Sequence, residues 1–174
     1  MPPDATSVTL LPFRAEHIEL LAAWLEEPHV APWYAHPDGN LQWARQPPPG
    51  GEHAIIALDG HPVGYLRWQR VDRATLDSLG LGDIPANSVD ADILVGGAGG
   101  FGRGIGPRAL NLLANRLLDD PSIPLIGLTS ELANTHAHRA FEKAGFRIVR
   151  QYDAPPLGLC HLLVRDLQAE RTPA

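Results

Sequence analysis

Apolar and polar positions change period several times along this chain, and each change marks an element. The run SVTLLPF at residues 7–13 reads as an opening strand. In AEHIELLAAWLEE, Ile18, Leu21 and Leu25, with Leu20 and Trp24, fall at helical spacing, so an amphipathic helix follows. Pro28 is its natural stop. PHVAPWYAHPDG reads as a structured loop, NLQWARQ as a short helix, and PPPGG breaks the chain. HAIIALDGHPVGYLRWQRV predicts a hairpin with Asp59-Gly60 in or near its turn. The next stretch, DRATLDSLGLGDIPANS, has turn signals and acids but weak periodicity, and reads as a mobile excursion over a site. VDADILVG and PLIGLTSE are buried strands, and a helix over 103–119 joins them into a strand–helix–strand unit. NTHAHRAFEKAG sets Ala137, Ala140, Phe141 and Ala144 on one helix face, with Asn134 as N-cap and Gly145 at the far end. Strands near 146–152 and 159–165 flank the turn DAPPLG. The expectation is a mixed α/β protein, hairpins first and one crossover in the middle, forming a single domain over residues 1–174.

Composition narrows the picture. Hydrophobic residues make up 44% of the chain and charged residues 20%, which suits a globular protein with a real core. The single cysteine, Cys160, excludes an internal disulfide and fits a reducing cytoplasm. No signal-peptide pattern and no apolar run of membrane length is present, so no membrane partner is expected. Fourteen basic against twenty acidic residues give a net charge of −6, which argues against nucleic acid and mildly favours a cationic partner.

The most informative stretch is ILVGGAGGFGRGIGPRAL, a buried strand running through many glycines into a helix. Gly97, Gly99 and Gly102 fit the dinucleotide pattern G-x-G-x-x-G. That pattern, however, belongs at the first strand of a repeated βαβ fold, with an acid about 20 residues on. Here it lies past mid-chain, and Glu131 is too far along. A nucleotide P-loop fails for want of Gly-Lys-Ser/Thr. Loop glycines without a ligand are the plain alternative. A pyrophosphate cradle fits better: Gly104 and Gly106 bring backbone N–H groups to a helix mouth, where the dipole favours an anion. Arg103 and Arg108 add positive charge there, and Pro107 is tolerated in the first turn. A diphosphate-bearing ligand such as coenzyme A suits this arrangement.

These residues resemble the GNAT superfamily of N-acetyltransferases. GFGRGIGPRAL looks like its acetyl-CoA motif, a strand followed by x-x-G-x-G and a helix. NTHAHRAFEKAGF matches its next motif, N-x-x-A-x-x-x-[YF]-x-K-x-G-F, through Asn134, Ala137, Phe141, Lys143, Gly145 and Phe146. The resemblance covers nearly the whole chain and implies a central mixed sheet flanked by helices. WLEEPHVAPWY, GHPVGYLRWQ and LLDDP look like the aminoglycoside 6′-N-acetyltransferase branch, and also like the siderophore hydroxylysine acyltransferase branch. Ahead of the strand's apolar triplet the siderophore branch carries histidine and the aminoglycoside branch aspartate. Here Asp92 stands there.

What the resemblance implies is an acetyl-CoA-dependent transfer to a small cationic amine, without metal, in a cytoplasmic monomer or homodimer. Coenzyme A would lie along Ile93, Leu94 and Val95, on Gly102, Arg103, Gly104, Ile105, Gly106 and Arg108, and against Asn134, Ala137, Phe141 and Lys143. A main-chain N–H near Leu94–Val95 would face the acetyl carbonyl, acting like an oxyanion hole. Asp92 is the candidate base, directly or through water. Asp90 shares its strand face and would attract the cation. Trp33 and Tyr34 are candidate acceptor walls or plain core aromatics. Glu131 is an acid displaced from the position that the aminoglycoside branch uses. Phe141 stands where the family usually has the tyrosine that protonates the leaving thiolate, so that acid is missing. His136 and His138, two apart on a helix, diverge and make no metal site.

Overall fold

A computed structural model describes residues 6–97 and 102–172. The elements are β1 (Val8–Pro12), α1 (His17–Leu25), a 3₁₀ turn (Ala31–Trp33), α2 (Pro37–Arg45), β2 (Gly51–Leu58), β3 (His61–Arg70) and α3 (Arg73–Ser78). They continue as β4 (Val89–Val95), α4 (Ile105–Leu118), β5 (Leu125–Glu131), α5 (Thr135–Lys143), β6 (Arg147–Asp153), β7 (Leu159–Asp166) and α6 (Leu167–Arg171). The strands hydrogen-bond in the order β1-β2-β3-β4-β5-β7-β6, a seven-stranded mixed sheet. The β4–β5 pair is parallel, as the α4 crossover between them requires, while β1–β2, β5–β7 and β6–β7 are antiparallel. The chain divides into two compact units: residues up to Arg67 with Ile93–Ala109, and Trp68–Asp92 with the residues from Leu110 onward. No described helix is long and apolar enough to cross a membrane.

In the first unit β1 pairs with β2 from Val8↔Leu58 to Pro12↔Ala54. The apolar stripe of α1 buries Leu21, Trp24 and Leu25, as its spacing predicts. Val30, Ala44, Ile55, Tyr65 and Leu94 complete that core. The Asp59-Gly60 turn lies between β2 and β3 as expected, and the Asp59 carboxylate accepts the Ser7 N–H at 2.7 Å. Helix α2 begins at Pro37, earlier than expected, because proline fits a first helical turn whose N–H groups lack intrahelical partners.

In the second unit β5 pairs with β7 along its whole length, from Leu125↔Asp166 to Glu131↔Cys160. The stretch expected to be a mobile excursion is instead a capped helix, α3, folded onto the core. The Asp72 carboxylate accepts the Thr75 N–H at 2.8 Å, and Leu76, Leu81 and Ile84 are buried with Leu125, Leu162 and Val164. Arg73 donates to the carbonyls of Ile84 at 2.8 Å and Leu81 at 3.3 Å, closing the loop that follows. Six residues span under two turns, too few for a helical period to show in the sequence.

The chain's last helix secures the end of α4. Arg171 donates to the carbonyls of Leu117 and Leu118, both at 3.0 Å, of Asp120 at 2.7 Å and of Ile123 at 2.6 Å. A helix C-terminus leaves such carbonyls without partners, and one guanidinium fork meets them here. Arg171→Met keeps the stem and removes these donors. The expected loss is about 2–3 kcal/mol, read as a lower urea midpoint at unchanged slope. A shift under ~0.5 kcal/mol would mean that water replaces the guanidinium.

Candidate active site

The strand expected to carry the chemistry is β4 (Val89–Val95). Val89 and Ala91 are buried while Asp90 is exposed and Asp92 half-buried, but the next buried residue is Leu94. The inside–outside alternation therefore slips by one residue between Ala91 and Leu94, as it does where a strand is irregular. Within the second unit β4 runs parallel to β5, with Val89 opposite Ile126 and Asp90 opposite Gly127. The slip falls where β4 passes from the second unit, which ends at Asp92, to the first, which resumes at Ile93.

In the first unit the C-terminal half of β4 is gripped by the connection after α1. The Tyr34 hydroxyl donates to the Ile93 carbonyl at 2.9 Å. An imidazole nitrogen of His29, Nε2, lies 2.9 Å from the Val95 carbonyl, which can only accept, so Nε2 carries the proton. The Glu27 carboxylate accepts the Gly97 N–H with both oxygens, at 2.8 and 3.0 Å, and lies 3.5 Å from His29 Nδ1. Tyr34 thus holds the strand through its hydroxyl while its ring packs on the core of this unit. Trp33 is half-buried in the 3₁₀ turn.

The glycine-rich segment sorts by cause. At Gly96 a Cβ would collide with the Trp24 indole at 2.2 Å, so that glycine serves packing. Gly99 lies outside the described residues. Gly102 and Gly104 have φ of +78° and +70°, a region costly for any other residue. Gly106 differs from all of these. It lies in the first turn of α4 without a positive φ, and a Cβ there would meet nothing within 4 Å. Nothing in the described chain requires a glycine at this position or fills the space beside it. The first-turn N–H groups of a helix have no intrahelical acceptors and carry the positive end of its dipole, which fits a diphosphate. Arg103 is exposed beside this turn, and buried Ile105 anchors it. Arg108 departs in part from expectation: one arm of its guanidinium donates to the Thr6 carbonyl, tying it to β1's approach.

In the second unit Asp90 borders a cavity of about 130 Å³. Its walls include Leu76, Leu81, Ile84 and Leu162, with Gly127, Thr129 and Tyr152 from the strands. Thr129 and Tyr152 share a hydrogen bond of 2.6 Å between their hydroxyls, and burial pushes the Tyr152 phenol above its usual range. Glu131 ends β5 opposite Cys160, whose thiol is held up mainly by burial and so stays protonated. The Asn134 side chain accepts the Ala137 N–H at 3.3 Å, capping α5 as expected. Phe141 is buried, its ring 6.4 Å from that of Phe146, and Lys143 is exposed in the last turn. The face of α5 differs from expectation: His138 is buried with Phe141, while Ala137 and Ala140 are only half-buried. Its ring stands edge-on to His161 at 4.8 Å, and burial lowers its affinity for a proton. No group of three or more His, Cys, Asp or Glu that could hold a metal occurs among the described residues.

Sequence reasoning missed Glu27, His29 and the cavity. The first two act on backbone 66 to 70 residues away, which no local pattern reveals. Gly127 carried a usable signal, since a glycine inside an apolar strand marks a close approach or an open space.

Comparison with known proteins now places the chain. Residues 14–154 match the family model of the acetyltransferase (GNAT) domain. The aminoglycoside N(6′)-acetyltransferase type 1 of Klebsiella pneumoniae is 26% identical over 155 residues, covering 80% of this chain and 74% of that protein. The solved structure of aminoglycoside acetyltransferase AAC(6′)-Ib with coenzyme A and kanamycin aligns at a TM-score of 0.80 and 27% identity, over 97% of this chain and 100% of that one. AAC(6′)-Ib with paromomycin and acetyl-CoA aligns at 0.81 and 26% identity, over 97% of this chain and 98% of that one. The matched span takes in both the cradle at the mouth of α4 and the Asn134-to-Phe146 motif, and the chain belongs to the GNAT family of N-acetyltransferases.

Proposed function

We propose that this chain moves the acetyl group of acetyl-CoA onto a primary amine of a small cationic acceptor, as an aminoglycoside 6′-N-acetyltransferase does. The observation that carries the reading is Gly106, a helical glycine with no neighbour within 4 Å at the mouth of α4. The AAC(6′)-Ib complexes with coenzyme A and aminoglycosides support it. Acetyl-CoA supplies an activated thioester; the chain's residues bind it, place the amine and accept its proton. In the reaction the amine nitrogen bonds to the carbonyl carbon, the C–S bond breaks, and the nitrogen loses a proton.

Each residue's part follows from its chemistry. The N–H groups of Gly102 to Gly106, with Arg103 and the charge of Arg108, hold the pyrophosphate. A backbone N–H near Leu94–Val95 polarises the carbonyl, and Tyr34 and His29 keep that backbone in place. Asp92 takes the amine's proton, directly or through one water. Asp90 attracts the ammonium before reaction. Asn134, Ala137 and Lys143 flank the same cosubstrate, and Glu131 and Trp33 border the acceptor. Phe141 contributes packing and no proton. The whole chain is read as one acetyltransferase domain acting in the cytoplasm.

Two measurements test this reading. Gly106→Ala should leave the fold intact or stabilise it by up to about 1 kcal/mol, since alanine favours a helix over glycine. Calorimetry should nonetheless show coenzyme A affinity falling at least ~10-fold, because a methyl occupies the approach of the diphosphate. Unchanged affinity would move the cosubstrate elsewhere. Valine at Gly104 cannot serve, because its φ of +70° would strain the backbone whatever the ligand.

Asp92→Asn tests the chemical step. Coenzyme A binding should persist while kcat falls by the ~10²–10⁴-fold usual for an acid–base residue. The deficit should shrink as pH rises, because more of the acceptor amine is then already neutral. Asp90→Asn should instead raise KM for cationic acceptors with kcat nearly kept. An active Asp92→Asn enzyme with the wild-type pH profile would remove Asp92 from the mechanism.

A further inference from the structure

The cavity beside Asp90 has more to say about the acceptor than its charge. It measures about 130 Å³, and its wall is largely aliphatic: Val71, Leu76, Leu81, Ile84, Leu125 and Leu162. Leu79, at its border, stays 47% exposed and adds an apolar part to the rim. Three hydroxyls of the wall are tied to the protein, and Gln69 and Thr75 add polar groups beside Asp90. Thr129 and Tyr152 bond each other at 2.6 Å, and Ser88 donates to the Pro85 carbonyl at 2.7 Å.

Gly127 supplies an independent sign of a ligand. It lies in mid-strand on β5, paired with Asp90, and it borders the cavity. A Cβ built there meets only the Val89 carbonyl oxygen, at 4.0 Å, and its φ is not in the left-handed region. Glycine weakens a strand interior, and no part of the described chain excludes a side chain at this position. The space above Gly127 is therefore open for a ligand rather than filled by the protein.

We infer that the acceptor carries a compact apolar group, an aryl ring or a short alkyl chain, that fills this cavity while its ammonium sits at Asp90. The volume suits such a group: an engineered apolar cavity of about 150 Å³ takes up benzene. A ring bearing several hydroxyls fits the wall poorly, because each one buried against these aliphatic side chains without a partner costs roughly tenfold in affinity. The inference rests on the proposed amine acetylation for the reacting end of the acceptor. It concerns the other end.

The test is calorimetric titration of the full chain with n-alkylammonium ions from ethyl to hexyl, with phenethylammonium and kanamycin as further probes, alongside turnover of each. Affinity should rise about three- to fourfold per added methylene until the cavity is full. Phenethylammonium should bind more tightly than ethylammonium. Gly127→Leu, which fills the floor, should flatten the series and leave ethylammonium binding nearly unchanged. Leu79→Trp, at the exposed rim, should lower hexyl more than ethyl binding and cannot be dismissed as unfolding. Asp90→Asn should weaken every member by a similar factor and keep the slope. A flat wild-type series, or a slope that survives both filling variants, overturns the inference. If the slope holds and no amine is acetylated, the proposed reaction fails and the cavity assignment stands. If amines are acetylated and the series is flat, the reverse is true.

Discussion

Three backbone groups at the end of β4 are held by side chains from a single connection, and the course of that segment depends on the hold. The carbonyls of Ile93 and Val95 and the N–H of Gly97 are met by Tyr34, His29 and Glu27. Buried backbone groups left without partners cost about as much as a lost hydrogen bond each, so these side chains decide where the segment can lie. The proposed polarisation of a thioester carbonyl needs a donor set within a fraction of an ångström, and the burial pattern of β4 is irregular between Ala91 and Leu94. The connection after α1 fixes the backbone beyond that irregularity. Pro28 ends the helix, Glu27 and His29 stand on either side of that proline, and the 3₁₀ turn brings Tyr34 round.

Glycine does two different jobs in this chain, and separating them distinguishes packing from binding. Gly96 and Gly64 make way for the protein itself: a Cβ would meet Trp24 at 2.2 Å in the first case and the Leu94 carbonyl at 2.5 Å in the second. Gly106 and Gly127 make way for nothing in the described chain. Both also carry the usual penalty of glycine inside a helix or strand, so each is a small loss of stability that the fold does not require. One lies at the positive end of a helix and the other beside an aspartate. On the proposed reading the first makes room for a diphosphate, and the second for the apolar part of an acceptor whose ammonium sits at the neighbouring aspartate.

Long-period signals made most of the architecture legible in the sequence. The apolar stripe of α1, the Asp59-Gly60 turn, the strand–helix–strand unit around α4 and the Asn134 cap of α5 all stand where their residues put them. Helix α3 was not legible, because its stability comes from the Asp72 cap and from Arg73 reaching carbonyls eight and eleven residues away. The burial of His138 was not legible for a related reason: it follows from packing against His161, which lies on a distant strand. In the candidate site, the glycines at the mouth of α4 and the acids of β4 are local features that the sequence displays. The Glu27–His29–Tyr34 grip and the cavity over Gly127 are products of contacts far apart in the chain.

The replacement of a thiolate-protonating tyrosine by Phe141 can be weighed against what the reaction needs. A thiol of ordinary acidity, near pKa 8.5, leaves as thiolate at neutral pH at a cost of about 2 kcal/mol relative to its protonated form. An alkylamine near pKa 10.4 must give up a proton before it can attack, and at pH 7 that costs about 4–5 kcal/mol. Proton removal at the amine is thus the larger demand by more than a factor of ten in rate. In the proposed reaction half-buried Asp92 takes the amine's proton, while Phe141 is buried with its ring 6.4 Å from that of Phe146. That reading places the acid–base group where the barrier is higher and leaves the easier departure to the thiolate's own stability and to water.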